Sequence, residues 1–123
     1  MQLKLALALA TATAGPMAFA ETLEACQTRI PESLDQFQVY IDVDHASKMT
    51  ARVFHLNPET NVATPLYLDE PIEKSEINSY GGMDYIKGDE FRLSTRITES
   101  GEKFGQLSLY LEDYAVDASL ICK

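Results

Sequence analysis

From residue 37 onward the chain alternates apolar and polar positions with a period of two. Phe37, Val39, Ile41 and Val43 fall on one face of an extended segment and Gln38, Tyr40, Asp42 and Asp44 on the other, the pattern of a half-buried strand. Residues 49–56 predict a second strand after a turn around 46–48. Asn57-Pro58-Glu59-Thr60-Asn61 then supplies turn chemistry before a third at 62–68, whose Pro65 cannot donate to a ladder and so predicts an edge position. The charged stretch 69–76 breaks the alternation and predicts a loop with one helical turn. Residues 78–82 predict another turn, and 83–87 a short strand. The clearest signal is a hairpin: Phe91, Leu93, Thr95 and Ile97 alternate before Glu99-Ser100-Gly101-Glu102, and Leu107, Leu109 and Leu111 alternate after it. Gly105 within its second arm predicts a bulge or a close backbone approach. After a crossing at 112–117, residues 118–122 predict the last strand. The expectation is an all-β domain, a small antiparallel β-sandwich or closed barrel of six to seven strands.

The periodicity is absent from the first 36 residues, which divide in two. Lys4, the apolar run 5–14, the break at Gly15-Pro16 and the small-x-small site Ala18-Phe19-Ala20 predict a cleaved export signal over 1–20. Residues 21–36 read as a tether, with Thr22 a candidate N-cap for one helical turn and Pro31 an obstacle to its continuation. Residues 37–123 are the β-domain, so the mature chain 21–123 is a single unit. No segment reaches the roughly 20 apolar residues a membrane-spanning helix needs. Leu23-Glu24-Ala25-Cys26 places a cysteine where a lipoprotein signal would end, but Glu21 and Glu24 interrupt the apolar lead-in of such a signal.

Export changes the meaning of the cysteines. There are two, Cys26 and Cys122, and an oxidising compartment makes a disulfide between them the expected state. That bridge would fasten the tether to the final strand and remove both sulfurs from the candidate nucleophiles. Charge follows the same logic. Against 19 acidic residues stand 10 basic ones, for a formal charge of -9, and loss of Lys4 with the signal makes it -10. Nucleic acid and anionic membranes are repelled by such a surface, and a cationic protein or peptide is attracted.

Candidate chemistry is sparse. The two histidines, His45 and His55, fall at opposite ends of the first predicted hairpin, which argues against a shared metal site. Asp42-Val43-Asp44-His45 begins like a calcium loop, but Ala46 offers no side-chain oxygen and Ser47 stands where the sharp turn wants glycine. Less regular calcium ligation is open to Asp69, Glu70, Asp84, Asp89, Glu90, Glu112 and Asp113. Nucleophile elbows, zinc-protease helices and phosphate-cradling glycine loops are absent, so no catalytic, cofactor or metal residue is assigned. The candidate partner-binding loop is Tyr80-Gly81-Gly82-Met83-Asp84-Tyr85, in which tyrosines and a methionine flank flexible glycines, a composition that interfaces favour. The alternative is a tight turn whose tyrosines fold back over a sheet edge.

Lys87-Gly88-Asp89-Glu90 resembles a segment of the small bacterial periplasmic lysozyme inhibitors, exported proteins with cationic targets. The serine-glycine-alanine-x-tyrosine element of that family finds only Gly81-Gly82-Met83-Asp84-Tyr85, too close to Lys87 for the family's spacing. The resemblance is one of charge and size and gives Tyr85 and Lys87 no inherited role. The sequence thus predicts an exported, acidic, non-enzymatic binding module of inhibitor type that engages a cationic protein or peptide. The alternative is an envelope structural or calcium-stabilised β-domain.

Overall fold

The computed structural model describes residues 21–29 and 35–123; the expected export signal at 1–20 and Pro31 lie outside the described residues. Among the described residues nine antiparallel strands follow one another: β1 (Glu21–Thr28), β2 (Gln36–Val43), β3 (Met49–Asn57), β4 (Val62–Pro71), β5 (Lys74–Ile77), β6 (Met83–Lys87), β7 (Phe91–Ile97), β8 (Lys103–Leu111) and β9 (Tyr114–Cys122). They form one sheet in the order β4-β3-β2-β1-β9-β8-β7-β6-β5, curled into a half-barrel. The all-β class is as the periodicity predicts. The count and closure are not: nine strands replace six to seven, and the sheet is neither a two-sheet sandwich nor a closed barrel.

Two of the additional strands come from segments read otherwise. Glu21–Thr28, expected to be a tether, is a central strand between β2 and β9. Thr22 caps no helix there, and its hydroxyl instead donates to Asp42 Oδ1 at 2.8 Å. Lys74–Ile77 pairs with β6 where a loop with a helical turn was expected. The last strand also begins earlier than residue 118, because only Glu112 and Asp113 separate β8 from β9.

Alternation explains the core. Phe37, Val39 and Ile41 of β2, Leu93 of β7, Leu107 and Leu109 of β8, and Leu120 of β9 are all buried on the face toward which the sheet curls. Burying each such side chain contributes about 1.5–3 kcal/mol before entropic costs. Pro65 lies in β4, an edge strand, opposite Phe54 where the β3–β4 register shifts, a setting that tolerates a residue without an N–H.

The half-barrel has two junctions. At the first, β1 and β9 pair through Cys26↔Cys122, Gln27↔Ile121 and Thr28↔Leu120, and the directly opposed cysteines form the expected disulfide, with Cα atoms 4.0 Å apart across a sequence separation of 96. Gly105 is where β8 makes room for this bridge: a Cβ there would lie 3.0 Å from Cys122 Sγ and 3.6 Å from Cys26 Sγ. The predicted close approach is therefore to the disulfide. At the second junction β4 runs into β5 across only Ile72 and Glu73, and the two strands form the opposite edges of the sheet. Ile72 N–H donates to Met49 O of β3 and Glu73 N–H to Ile86 O of β6, each at 2.9 Å, so consecutive residues serve opposite margins of the sheet.

Candidate functional site

The six residues of the predicted partner loop are divided between a turn and the start of β6. Asn78 organises the turn between β5 and β6. Its Oδ1 accepts from Tyr80 N–H and Gly82 N–H, and its Nδ2 donates to Asp84 Oδ1 and Thr95 O. Gly81 takes a left-handed φ of 80°, which suits glycine. Gly82 lies so close to β7 that a Cβ would fall 2.1 Å from Thr95 O. Met83, Asp84 and Tyr85 then belong to β6. Tyr80 alone is a projecting side chain, 69% exposed.

Asp84 and Tyr85 point to opposite faces, as neighbours on a strand must. Asp84 pairs with Arg92 at 3.0 Å on the outer face. Burial by itself would raise its carboxyl, but hydrogen bonds from Asn78 and Ser94 and the charge of Arg92 hold it below the ordinary range. Tyr85, 3% exposed, enters the interior and donates to Glu24 Oε2 at 2.7 Å, while Lys103 Nζ reaches Glu24 Oε1 at 2.8 Å. Glu24 is itself only 4% exposed. Burial, and then the hydrogen bond to the carboxylate, push the Tyr85 hydroxyl well above its usual value. This buried Glu24-Tyr85-Lys103 cluster escaped sequence reasoning. Its one signal was Glu24 two positions before Cys26, hence on the same face of any strand.

The second junction gathers acidic side chains. Lys87 Nζ is held by Glu70 Oε1 at 2.7 Å and lies 3.5 Å from Glu90 Oε2. Tyr67 donates to Glu90, and Glu73 Oε1 accepts from Gly88 N–H at 2.8 Å. The Lys87-Gly88-Asp89-Glu90 segment is thus the turn between β6 and β7, and its lysine is engaged within the molecule. The Tyr67 hydrogen bond, with Lys87 nearby, holds the Glu90 carboxyl below its ordinary value. Burial together with Glu90 raises the Tyr67 hydroxyl.

The remaining candidates take structural places. Asp42 pairs with Arg52 at 2.7 Å. Asp44 Oδ1 accepts from Ala46 N–H and Lys48 N–H, each at 2.9 Å, closing the turn between β2 and β3. His45 is exposed in that turn. His55 packs against the Phe37 ring, centroids 5.4 Å apart, with Nε2 3.5 Å from Asp35 Oδ1. The register Phe37↔His55 and Val43↔Met49 keeps the two imidazoles at opposite ends of the hairpin. Among the described residues, no three histidine, cysteine or carboxylate side chains converge as a metal ion would require, and no helix is long and apolar enough to cross a membrane. Asp69, Glu112 and Asp113 stand exposed. Cys26, joined to Cys122, has no thiol left to acylate.

Compared with known proteins, the chain matches no family model, no curated protein and no solved structure.

Proposed function

We propose that this chain is an exported, non-enzymatic binding module that engages a cationic protein or peptide through its acidic turns. The observation that supports this reading is the division of labour among its charges. Arg52, Arg92, Lys87 and Lys103 are each held by a carboxylate of the chain itself. Asp89, Glu99, Glu102, Glu112 and Asp113, all exposed and all in turns between strands, have no ion pair among the described residues. With these four cations engaged internally and the turn carboxylates solvated, the turns present a negative field to any partner. The Cys26–Cys122 disulfide suits an oxidising compartment outside the cytosol. Tyr80 lies next to arginines, so the acidic turns, and not the 80–85 loop, are the surface proposed for a cationic partner.

The test is binding of the oxidised protein to a panel of lysozymes and to a lysine-rich peptide at graded salt. Affinity is expected to fall as salt rises, since exposed charges are screened over about 10 Å at 0.1 M. A variant carrying Glu112→Lys and Asp113→Lys is expected to bind more weakly. Absence of binding to every basic ligand at low salt would remove the proposal. Binding to lysozymes without slowing cell-wall hydrolysis would remove its inhibitor version alone.

A further inference from the structure

The outer face of β7, β8 and β9 has a character opposite to that of the acidic turns. A groove of about 430 Å³ runs across it, and three of the chain's four arginines, Arg29, Arg92 and Arg96, line it. Alternation puts them there: Arg92, Ser94 and Arg96 occupy the even positions of β7, whose odd positions Phe91, Leu93 and Thr95 are buried. Arg29 joins from the far side, because its N–H donates to Ser119 O at 3.0 Å and extends the β1–β9 ladder by one step.

The arginines differ in what they already hold. Arg92 is paired with Asp84, and its Nε also donates to Ser94 Oγ. Arg29 and Arg96 have no ion pair among the described residues. Both instead lie over the ring of Phe104, with Cζ at 4.8 and 5.8 Å from its centroid. Contact with a ring face fixes a guanidinium yet leaves its N–H groups able to grip an oxyanion through two parallel hydrogen bonds. Both guanidiniums line the one groove.

Between them the register Ser94↔Gln106↔Ser119 lays three short polar side chains in a row. Ser119 donates to Gln106 Oε1 at 3.1 Å, which leaves the Gln106 amide nitrogen as a donor, and the exposed Tyr80 adds a phenol at the margin. The one carboxylate among the described residues of the groove, Asp84, is occupied by Arg92 and Asn78. The hydrogen-bonding capacity left open is therefore dominated by donors, and a complementary ligand is rich in acceptors and negatively charged.

We infer that this groove binds a small organic oxyanion, a carboxylate or a phosphate ester, gripped by Arg29 and Arg96 over Phe104. The site is separate from the acidic turns and stands or falls independently of the proposed cationic partner.

The experiment is an amide NMR titration of the nitrogen-labelled, oxidised protein at low salt with glucuronate, a hexose monophosphate and neutral glucose. Saturable shifts at residues 94–96, 104–106 and 119 with either acid, but not with glucose, are expected, and the acid that acts identifies the source. Binding by the variant R29Q/R96Q is expected to be about tenfold weaker or worse, with R52Q unchanged. All three arginines are solvent-accessible, so an unperturbed spectrum of the free variants checks that they fold. The proposal is overturned if neither acid gives a saturable shift at these amides, if glucose acts equally, or if R29Q/R96Q binds as tightly as the parent.

Discussion

At the β1–β9 junction distant parts of the chain meet through backbone hydrogen bonds, a disulfide and the buried carboxylate of Glu24. At the β4–β5 corner the sheet's edges are linked by a lysine shared between Glu70 and Glu90, both of them partly exposed. The groups are similar and the surroundings are not. Glu24, sheltered from water, interacts at low dielectric and is costly to leave unpaired; the charges at the corner are screened by solvent and exchange partners cheaply. The first junction should therefore govern whether the half-barrel holds, and the second how it responds to salt and acid.

The largest expected effect is at the disulfide. Replacing both cysteines by alanine frees a loop with a sequence separation of 96, and the chain-entropy model assigns such a loop about 4–5 kcal/mol. Urea unfolding of parent and variant measures this directly. A loss below about 1 kcal/mol would mean that the backbone pairing of β1 with β9 holds that junction by itself. Next comes Lys103→Met, which leaves the Glu24 carboxylate buried with Tyr85 as its one remaining side-chain partner among the described residues. About 2–4 kcal/mol should be lost, the range for breaking a buried pair reduced by the partial exposure of Lys103. Adding Glu24→Leu should restore much of it, because the uncompensated charge is then gone.

These junctions also mark where the sequence was legible. Strands β2, β7 and β8 could be read because apolar buried residues alternate along each, Phe37, Val39 and Ile41 in β2, Phe91 and Leu93 in β7, and Leu107 and Leu109 in β8. The turn residues between β7 and β8 then left a single way to join them. Strand β1 could not. Its only fully buried residues are Glu24 and Cys26, its register slips between Thr22 and Glu24, and an acid at a core position reads as solvent-facing until its partners are known. Strand β5 is exposed along its whole length and owes its conformation to pairing with β6, which leaves no hydrophobic pattern to detect. The groove was hidden for a related reason: Arg29, Arg96 and Phe104 meet only because β1 pairs with β9 across the length of the domain, and of that pairing the two cysteines were the one visible sign.

A smaller effect at the first junction tests burial through pH. Tyr85→Phe removes a hydrogen bond to a carboxylate, with an expected cost of about 1.5–3 kcal/mol. The sign of the pH dependence follows from the raised hydroxyl. In the unfolded chain tyrosine ionises near pH 10, whereas in the folded chain Tyr85 stays protonated. Its contribution is thus complete below about pH 10 and is lost progressively as pH rises toward the folded value. Melting temperature measured between neutrality and strong alkali should fall less steeply in Y85F than in the parent. Equal slopes would mean that Tyr85 is no more shielded than an exposed tyrosine.

The smallest effect belongs to the corner, and its conditions matter more than its size. Glu90 is held below its ordinary value by Tyr67 and Lys87, so its contribution is present above the unfolded carboxylate range, near pH 4.3, and is lost as pH falls through the folded value. Because the glutamate is substantially exposed, Glu90→Gln should cost only about 0.5 kcal/mol at neutral pH. That difference should shrink in high salt and vanish in acid, where the parent's glutamate becomes neutral like the glutamine. Chemical unfolding of parent and E90Q at low and high salt, repeated on acidification, checks both limbs. A cost as large as that of Lys103→Met and indifferent to salt would show that water does not reach the corner, and would erase the contrast between the two junctions.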